Sequence, residues 1–392
     1  TLDMQTIEKF LPDDGFAGAL VGRVWNPSGP HAGPMVVAVR EAGVFDITDQ
    51  FPTVADLLDH ATPAAALRAA GGTRLASVAD LLANSHQPAD ASVMRFLAPV
   101  DVQVIKACGV TFADSMLERV IEERAKGDAA GAARVRAEIV GVLGDNLEGL
   151  KPGSDAAMAL KAVLQAQGWW SPYLEVGIGP DAEVFTKAPV LGAVGPGAMV
   201  GIRSDSSWNN PEPEVVLAVN AHGTLVGVSL GNDVNLRDIE GRSALLLGKA
   251  KDNNASCAIG PFIRLFDDTF SLDDVRQMEL ELEVDGTDGY NLQGVNQMAR
   301  ISRDPLDLIA QTIKAHQYPD GFMLFTGTLF APTKDRDAVG SGFTHHLGDV
   351  VRIRSRWLGE LCNTVTHAET APPWAFGVRS LMRNLAARVL LK

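Results

Sequence analysis

The sequence predicts an α+β chain in which strand hairpins carry the centre and helices flank them. Three observations predict it. Apolar runs at 215–220 and 225–230 are joined by a turn at His222-Gly223, the pattern of a hairpin. Asp285-Gly286, bracketed by runs at 279–284 and 290–293, signals a second one. Apolar residues recur at helical spacing at 53–70, 116–143, 306–315 and 378–391.

Composition sets the outer bounds. The 392 residues are 46% hydrophobic, enough for a large core shared by two domains. A smaller N-terminal α/β domain is expected over 1–100 and a catalytic domain over 101–392. A net charge of −14 argues against nucleic acid and anionic membrane as partners. An anionic substrate would then need local positive charge, which a bound metal supplies. Cys108, Cys257 and Cys362 lie far apart with no CxxC, indicating neither a disulfide framework nor a zinc site. No apolar run reaches 18 residues and the opening TLDMQTIEKFLPDDG lacks a signal-peptide layout, so a soluble, cytoplasmic protein is expected.

In chain order, strands are expected at 17–25, 33–39 and 43–48, then a helix over 53–70 capped by Thr53 and a shorter one over 77–84. Nothing there has a catalytic look. A strand at 102–106 leads to a strand-to-helix turn at 109–115, and such turns bind anions and place catalytic groups. The helix that follows is interrupted near 127–132. Lys187 closes a short strand at 182–187 and is read as a surface lysine, with a substrate carboxylate as the alternative. The glycines of 195–201 lack the GxGxxG order, so they mark a turn. Asp304-Pro305 opens a helix by cap and first-turn proline. A buried strand is expected at 323–328, and the basic amphipathic stretch 378–391 resembles a docking tail.

The chemistry gathers at 208–261. Glu212 and Glu214 are separated by one residue at the start of a strand, and side chains two apart share a face. The hairpin brings Asp233, after Gly231-Asn232, back to the same end. Three carboxylates at one point repel unless a divalent cation sits between them, and oxygen-only ligands favour Mg²⁺, Mn²⁺ or Ca²⁺ over zinc. The alternative is a solvated acidic hairpin.

The motifs PEPEVVLAVN, GNDVNLRD, GKAKD…AIGP, FTGT and LGDVVRIR…LGELCNTV together resemble the fumarylacetoacetate hydrolase superfamily over about 104–366. The resemblance implies a mixed β-roll with its site at the mouth. It implies Glu212, Glu214 and Asp233 as metal ligands, Lys249 as the active-site lysine and Thr328 as a substrate-carboxylate contact. Two positions depart from the family's hydrolases. Ser115 stands where they carry the water-activating histidine, leaving Glu118 of that pair, and a serine with no base beside it is a poor general base. Glu240 stands where they carry glutamine. Some members are instead dehydratases of 2-keto-3-deoxy sugar acids, and SSWNNPEPEVVL is similar to that branch.

The resemblance therefore implies a Mg²⁺-dependent dehydratase of a 2-keto-3-deoxy-pentonate, derived from D-arabinonate or D-xylonate, giving 2,5-dioxopentanoate in non-phosphorylative pentose catabolism. Lys249 or Glu118 would act as base, Glu118 or Glu240 would assist departure of hydroxide, and Ser115 and Thr328 would contact substrate. The alternative is a metal-dependent C–C hydrolase or decarboxylase of acylpyruvate-like substrates. Family members are commonly homodimers or homotetramers, which is the assembly expected here.

Overall fold

In a computed structural model, residues 2–86, 90–113, 115, 116, 120, 134–138 and 149–392 are described. The first strands are β1 (Ala19–Asn26), β2 (Gly33–Arg40), β3 (Gly43–Asp46), β4 (Thr73–Ala76) and β5 (Arg95–Leu97). Then come β6 (Val104–Gly109), β7 (Glu183–Ala188), β8 (Met199–Ile202) and the short β9 (Asn209–Asn210). The predicted hairpin is β10 (Pro213–Val219) and β11 (Leu225–Asp233), followed by β12 (Asn235–Leu236) and β13 (Cys257–Leu265). The rest are β14 (Glu279–Asp285), β15 (Asn291–Gln297), β16 (Phe322–Phe325), β17 (Val350–Ser355) and β18 (Gly359–His367).

Two mixed sheets result. The larger runs β4-β3-β2-β1-β13-β11-β10-β16-β6-β7, with β5 added on β1. The smaller runs β15-β14-β17-β18-β8, and β9 pairs with β12 as a separate ribbon. Most neighbours are antiparallel, but β16 lies parallel to β6 and β18 parallel to β8. The strands of the first hundred residues join the large sheet through the β1–β13 pairing, so residue 100 marks no break in it.

The position of β10 explains its sequence. All seven of its residues are buried. Val215, Leu217 and Val219 pack toward Leu282, Val284, Val351 and Ile353 of the small sheet. Val216 and Ala218 point the other way, among Val54, Leu57, Leu58 and Leu67. A strand covered on both faces needs a continuous apolar run, and that is what the sequence carries. The carboxylates are therefore at the end of a strand buried on both faces.

The helix expected over 53–70 is two helices, Val54–Leu58 and Pro63–Ala69. Thr53 caps the first as anticipated, in a capping box with Asp56. Proline at 63 cannot continue a helix, because it lacks the N–H and clashes with the preceding turn, but it starts a new one well. The helix Pro305–Ile313 begins with the Asp304 carboxylate accepting from the Leu306 N–H at 3.0 Å. The C-terminal helix covers Val378–Ala387, shorter than expected. Most of the helix predicted from residue 116 onward lies outside the described residues. Among those described, no helix is long and apolar enough to cross a membrane.

Candidate active site

Antiparallel pairing builds the acidic cluster. In the β10–β11 ladder Pro213 faces Asn232 and Glu214 faces Gly231, so Asp233 arrives opposite Glu212. Two hydrogen bonds fix that end: the Asp233 N–H donates to the Glu212 carbonyl at 3.0 Å, and the Glu212 N–H donates to Asn232 Oδ1 at 3.1 Å. Carboxylate oxygens of Glu212, Glu214 and Asp233 all lie within 4.8 Å of one another, and all three residues are buried. The solvated acidic hairpin is thereby replaced by an interior cluster. Asn296 of β15, also buried, donates to the Pro213 carbonyl at 2.9 Å and accepts from the Leu329 N–H at 3.1 Å. It ties the glutamate-bearing strand to the 327–329 segment.

Each carboxylate has a different surrounding. Glu214 Oε2 accepts from the Gly327 N–H at 2.8 Å, whereas its Oε1 is buried without a hydrogen-bonding partner. Burial, with Asp233 and Glu212 alongside, pushes its carboxyl well above the usual range. Asp233 is equally buried, but Lys187 and Lys251 outweigh that and bring it down to about 2. The Lys251 ammonium stands 3.1 Å from both Glu212 Oε2 and Asp233 Oδ2. Burial works against its charge, yet the surrounding carboxylates hold it protonated, above its ordinary value.

A hard dication fits this arrangement. The donors are all oxygens, and two ammonium groups leave Glu214 Oε1 unserved at the centre. A dication would supply the missing partner and remove the repulsion that now favours a proton on Glu214.

The cluster borders a narrow cleft. Glu212, Asp233 and Lys251 form one part of its lining, and Ser115, Glu183, Glu240 and Thr328 also line it. Of the residues singled out in the sequence, Ser115, Glu240, Thr328 and the three acids are thus brought together. Ser115 Oγ donates to the Phe112 carbonyl at 3.0 Å, and Thr328 Oγ1 accepts from the Phe330 N–H at 3.1 Å. Glu118 lies outside the described residues.

Lys249 needs a correction. Its side chain is exposed and borders a different surface hollow, with Arg203, Asn254 and Glu369. The lysine in the cleft is Lys251. Both belong to the short helix Leu247–Lys251, where residues two apart point to nearly opposite sides. Lys187 also departs from expectation. It has no exposed surface and its ammonium is 2.9 Å from Asp233 Oδ1.

Glu183 was missed because its role comes from a partner strand. In the β6–β7 ladder it faces Gly109, and a Cβ on Gly109 would come within 2.7 Å of Glu183 Oε2. The absent side chain gives the carboxylate its space. Glu183, Phe185 and Lys187 alternate along β7, the pattern of one strand face, and this was the one signal available in the sequence.

Residues 194–366 match the family model described as fumarylacetoacetate (FAA) hydrolase C-terminal. That segment, less than half of the chain, is similar to the fumarylacetoacetate hydrolase family. Two curated relatives are each 30% identical to the chain. A probable 2-keto-3-deoxyxylonate dehydratase of Haloferax volcanii matches over 194 residues, 50% of this chain and 63% of that protein. A 2-dehydro-3-deoxy-D-arabinonate dehydratase of Saccharolobus solfataricus matches over 154 residues, 39% of this chain and 51% of that protein. The chain therefore spans less than two thirds of the length of either. In fold, it is similar to a 2-keto-3-deoxy-D-arabinonate dehydratase solved with magnesium and 2,5-dioxopentanoate. The TM-score is 0.62 at 20% identity, covering 89% of this chain and 99% of that one. A 5-carboxymethyl-2-hydroxymuconate delta-isomerase from Mycobacterium smegmatis shares the fold at a TM-score of 0.51 and 17% identity.

Proposed function

We propose that the protein is a Mg²⁺-dependent hydro-lyase that converts a 2-keto-3-deoxy-pentonate, derived from D-arabinonate or D-xylonate, to 2,5-dioxopentanoate. The observation that carries this reading is the buried triad Glu212, Glu214 and Asp233 bordering a cleft that also holds Lys251, Glu183 and Glu240. The names of the two relatives at 30% identity support it, and so does Ser115 at the place of the family's hydrolytic histidine. Mn²⁺ and Ca²⁺ suit the same oxygens. A smaller N-terminal α/β domain on a β-roll catalytic domain, a cytoplasmic location and a homodimeric or homotetrameric state belong to the same reading.

Glu212, Glu214 and Asp233 would hold the dication. When bound, it supplies Lewis acidity to the substrate's carboxylate and 2-oxo group, which acidifies the C3 protons. The residues of the chain do the rest. The Lys251 ammonium, kept protonated by its carboxylate neighbours, faces the 2-oxo oxygen and stabilises negative charge as it develops there. Glu183 takes one C3 proton. Glu240 assists the C4 hydroxyl, which departs with a proton as water while the C3 electron pair forms the C3–C4 double bond. Tautomerisation then moves hydrogen from C5 and its hydroxyl to C3 and C4, leaving an aldehyde at C5. One water leaves and no oxidant is needed. Thr328 and Ser115 orient the substrate in the cleft.

The test is product analysis. Protein with Mg²⁺ and a 2-keto-3-deoxy-pentonate should form an aldehyde and release no pyruvate, and acylpyruvates should remain uncleaved. Pyruvate release from acylpyruvates would overturn the reading in favour of C–C hydrolysis.

A further inference from the structure

Lys187 is among the largest side chains with no exposure at all, and burying a charge is costly unless oxygens surround it. Here they do. Its ammonium forms an ion pair with Asp233 Oδ1 at 2.9 Å and donates to the carbonyls of Val234 at 3.0 Å and Lys251 at 2.5 Å. Two of the ammonium's three donors go to the carbonyls, and its charge is met by the Asp233 carboxylate. These oxygens come from a metal-ligand candidate, from the residue after it, and from the backbone of the lysine that enters the cleft.

From this arrangement we infer that Lys187 is a positioning residue whose ammonium acts as a built-in cation in an oxygen cage behind the metal site. It holds Asp233 Oδ1, leaving Oδ2 toward Glu212 and Lys251. Through the Lys251 carbonyl it also fixes the end of the helix Leu247–Lys251, and with it the direction of the Lys251 side chain. Around the triad its charge joins those of Lys251 and of the dication against the three carboxylates. The inference rests on the reading of the triad as a metal site, and it concerns metal affinity rather than turnover.

The test is a Mg²⁺ titration by calorimetry on wild type, Lys187→Gln and Lys187→Ala. Glutamine keeps two donors in the cage but no charge, so that variant folds. Its Mg²⁺ affinity should fall by about 10–100-fold, the range seen when a group supporting a metal ligand is lost. Alanine empties the cage, and ammonium chloride should then restore affinity toward wild type, while tetramethylammonium chloride at equal ionic strength, being too large to enter, should not. Wild-type affinity in Lys187→Gln would overturn the inference. So would equal relief of Lys187→Ala by both salts, which is what a purely structural defect would show. If wild type itself takes up no Mg²⁺, the metal-site reading fails first, and the two failures are told apart.

Discussion

The Gly327 N–H donates to Glu214 Oε2 at 2.8 Å and so aims the other oxygen of that carboxylate into the acidic cluster. Gly327 does this from φ +89°, and a Cβ there would lie 2.2 Å from Thr111 Oγ1, which itself donates to the Thr326 carbonyl at 2.7 Å. Glycine is required twice over, for backbone conformation and for space. Gly327→Ala should cost about 1–3 kcal/mol of stability in chemical denaturation and weaken Mg²⁺ binding with it. Unchanged stability and affinity would mean that the 326–328 segment does not fix Glu214.

The two lysines of the helix Leu247–Lys251 separate cleanly. Lys251→Met removes the ammonium from the cleft and should lower kcat by about 10²–10³-fold, the scale for losing a preorganised donor. Lys249→Met changes an exposed side chain and should leave turnover within about twofold of wild type, as surface changes away from a site generally do. Steady-state kinetics on both variants is decisive, and the reverse ranking would restore Lys249 to the site.

Glu183 and Glu240 are assigned different steps, which isotope exchange distinguishes. Glu183→Gln should abolish exchange of the C3 protons with deuterated water and lower kcat by about 10²–10⁴-fold, the range for a general base. Glu240→Gln should keep the exchange while losing release of water. If Glu183→Gln still exchanges C3 protons at the wild-type rate, the base is another group.

The acids also predict how stability follows pH. The raised Glu214 carboxyl contributes stability that is full below about pH 4 and drains away as pH climbs through its elevated value in the fold. Asp233 has the opposite sign: brought down to about 2, it contributes above the usual carboxylate range and loses that only as pH falls toward 2. Metal-free protein should therefore have a Tm contribution from Glu214 that declines as pH rises above the usual carboxylate range. Mg²⁺ requires that carboxyl ionised, so its stabilising effect should grow over the same range. A Mg²⁺ shift in Tm that is flat with pH would contradict the assignment.

The acidic cluster was legible because two local rules suffice for it. Residues two apart share a strand face, and a hairpin returns Asp233 to Glu212. What was not legible depends on pairing between distant segments. Glu183 becomes a cleft residue only through its register against Gly109. Lys187 loses its solvent because oxygens of residues 233, 234 and 251 close around it, and no window of sequence around 187 contains them. Lys249 and Lys251 are two residues apart, and the choice between them is set by the rotation of a five-residue helix on its neighbours. The apolar periodicity of 53–70 runs through Pro63, and the break there follows from the proline's missing N–H.

The central claim is that three buried carboxylates hold a hard dication. Glu214→Gln tests it most directly, since the amide oxygen still accepts from Gly327 while one anionic donor is lost. Calorimetric titration with Mg²⁺ should give binding in wild type and none in this variant, with both proteins showing the same far-UV circular dichroism. Equal Mg²⁺ affinity in the two folded proteins would contradict the account.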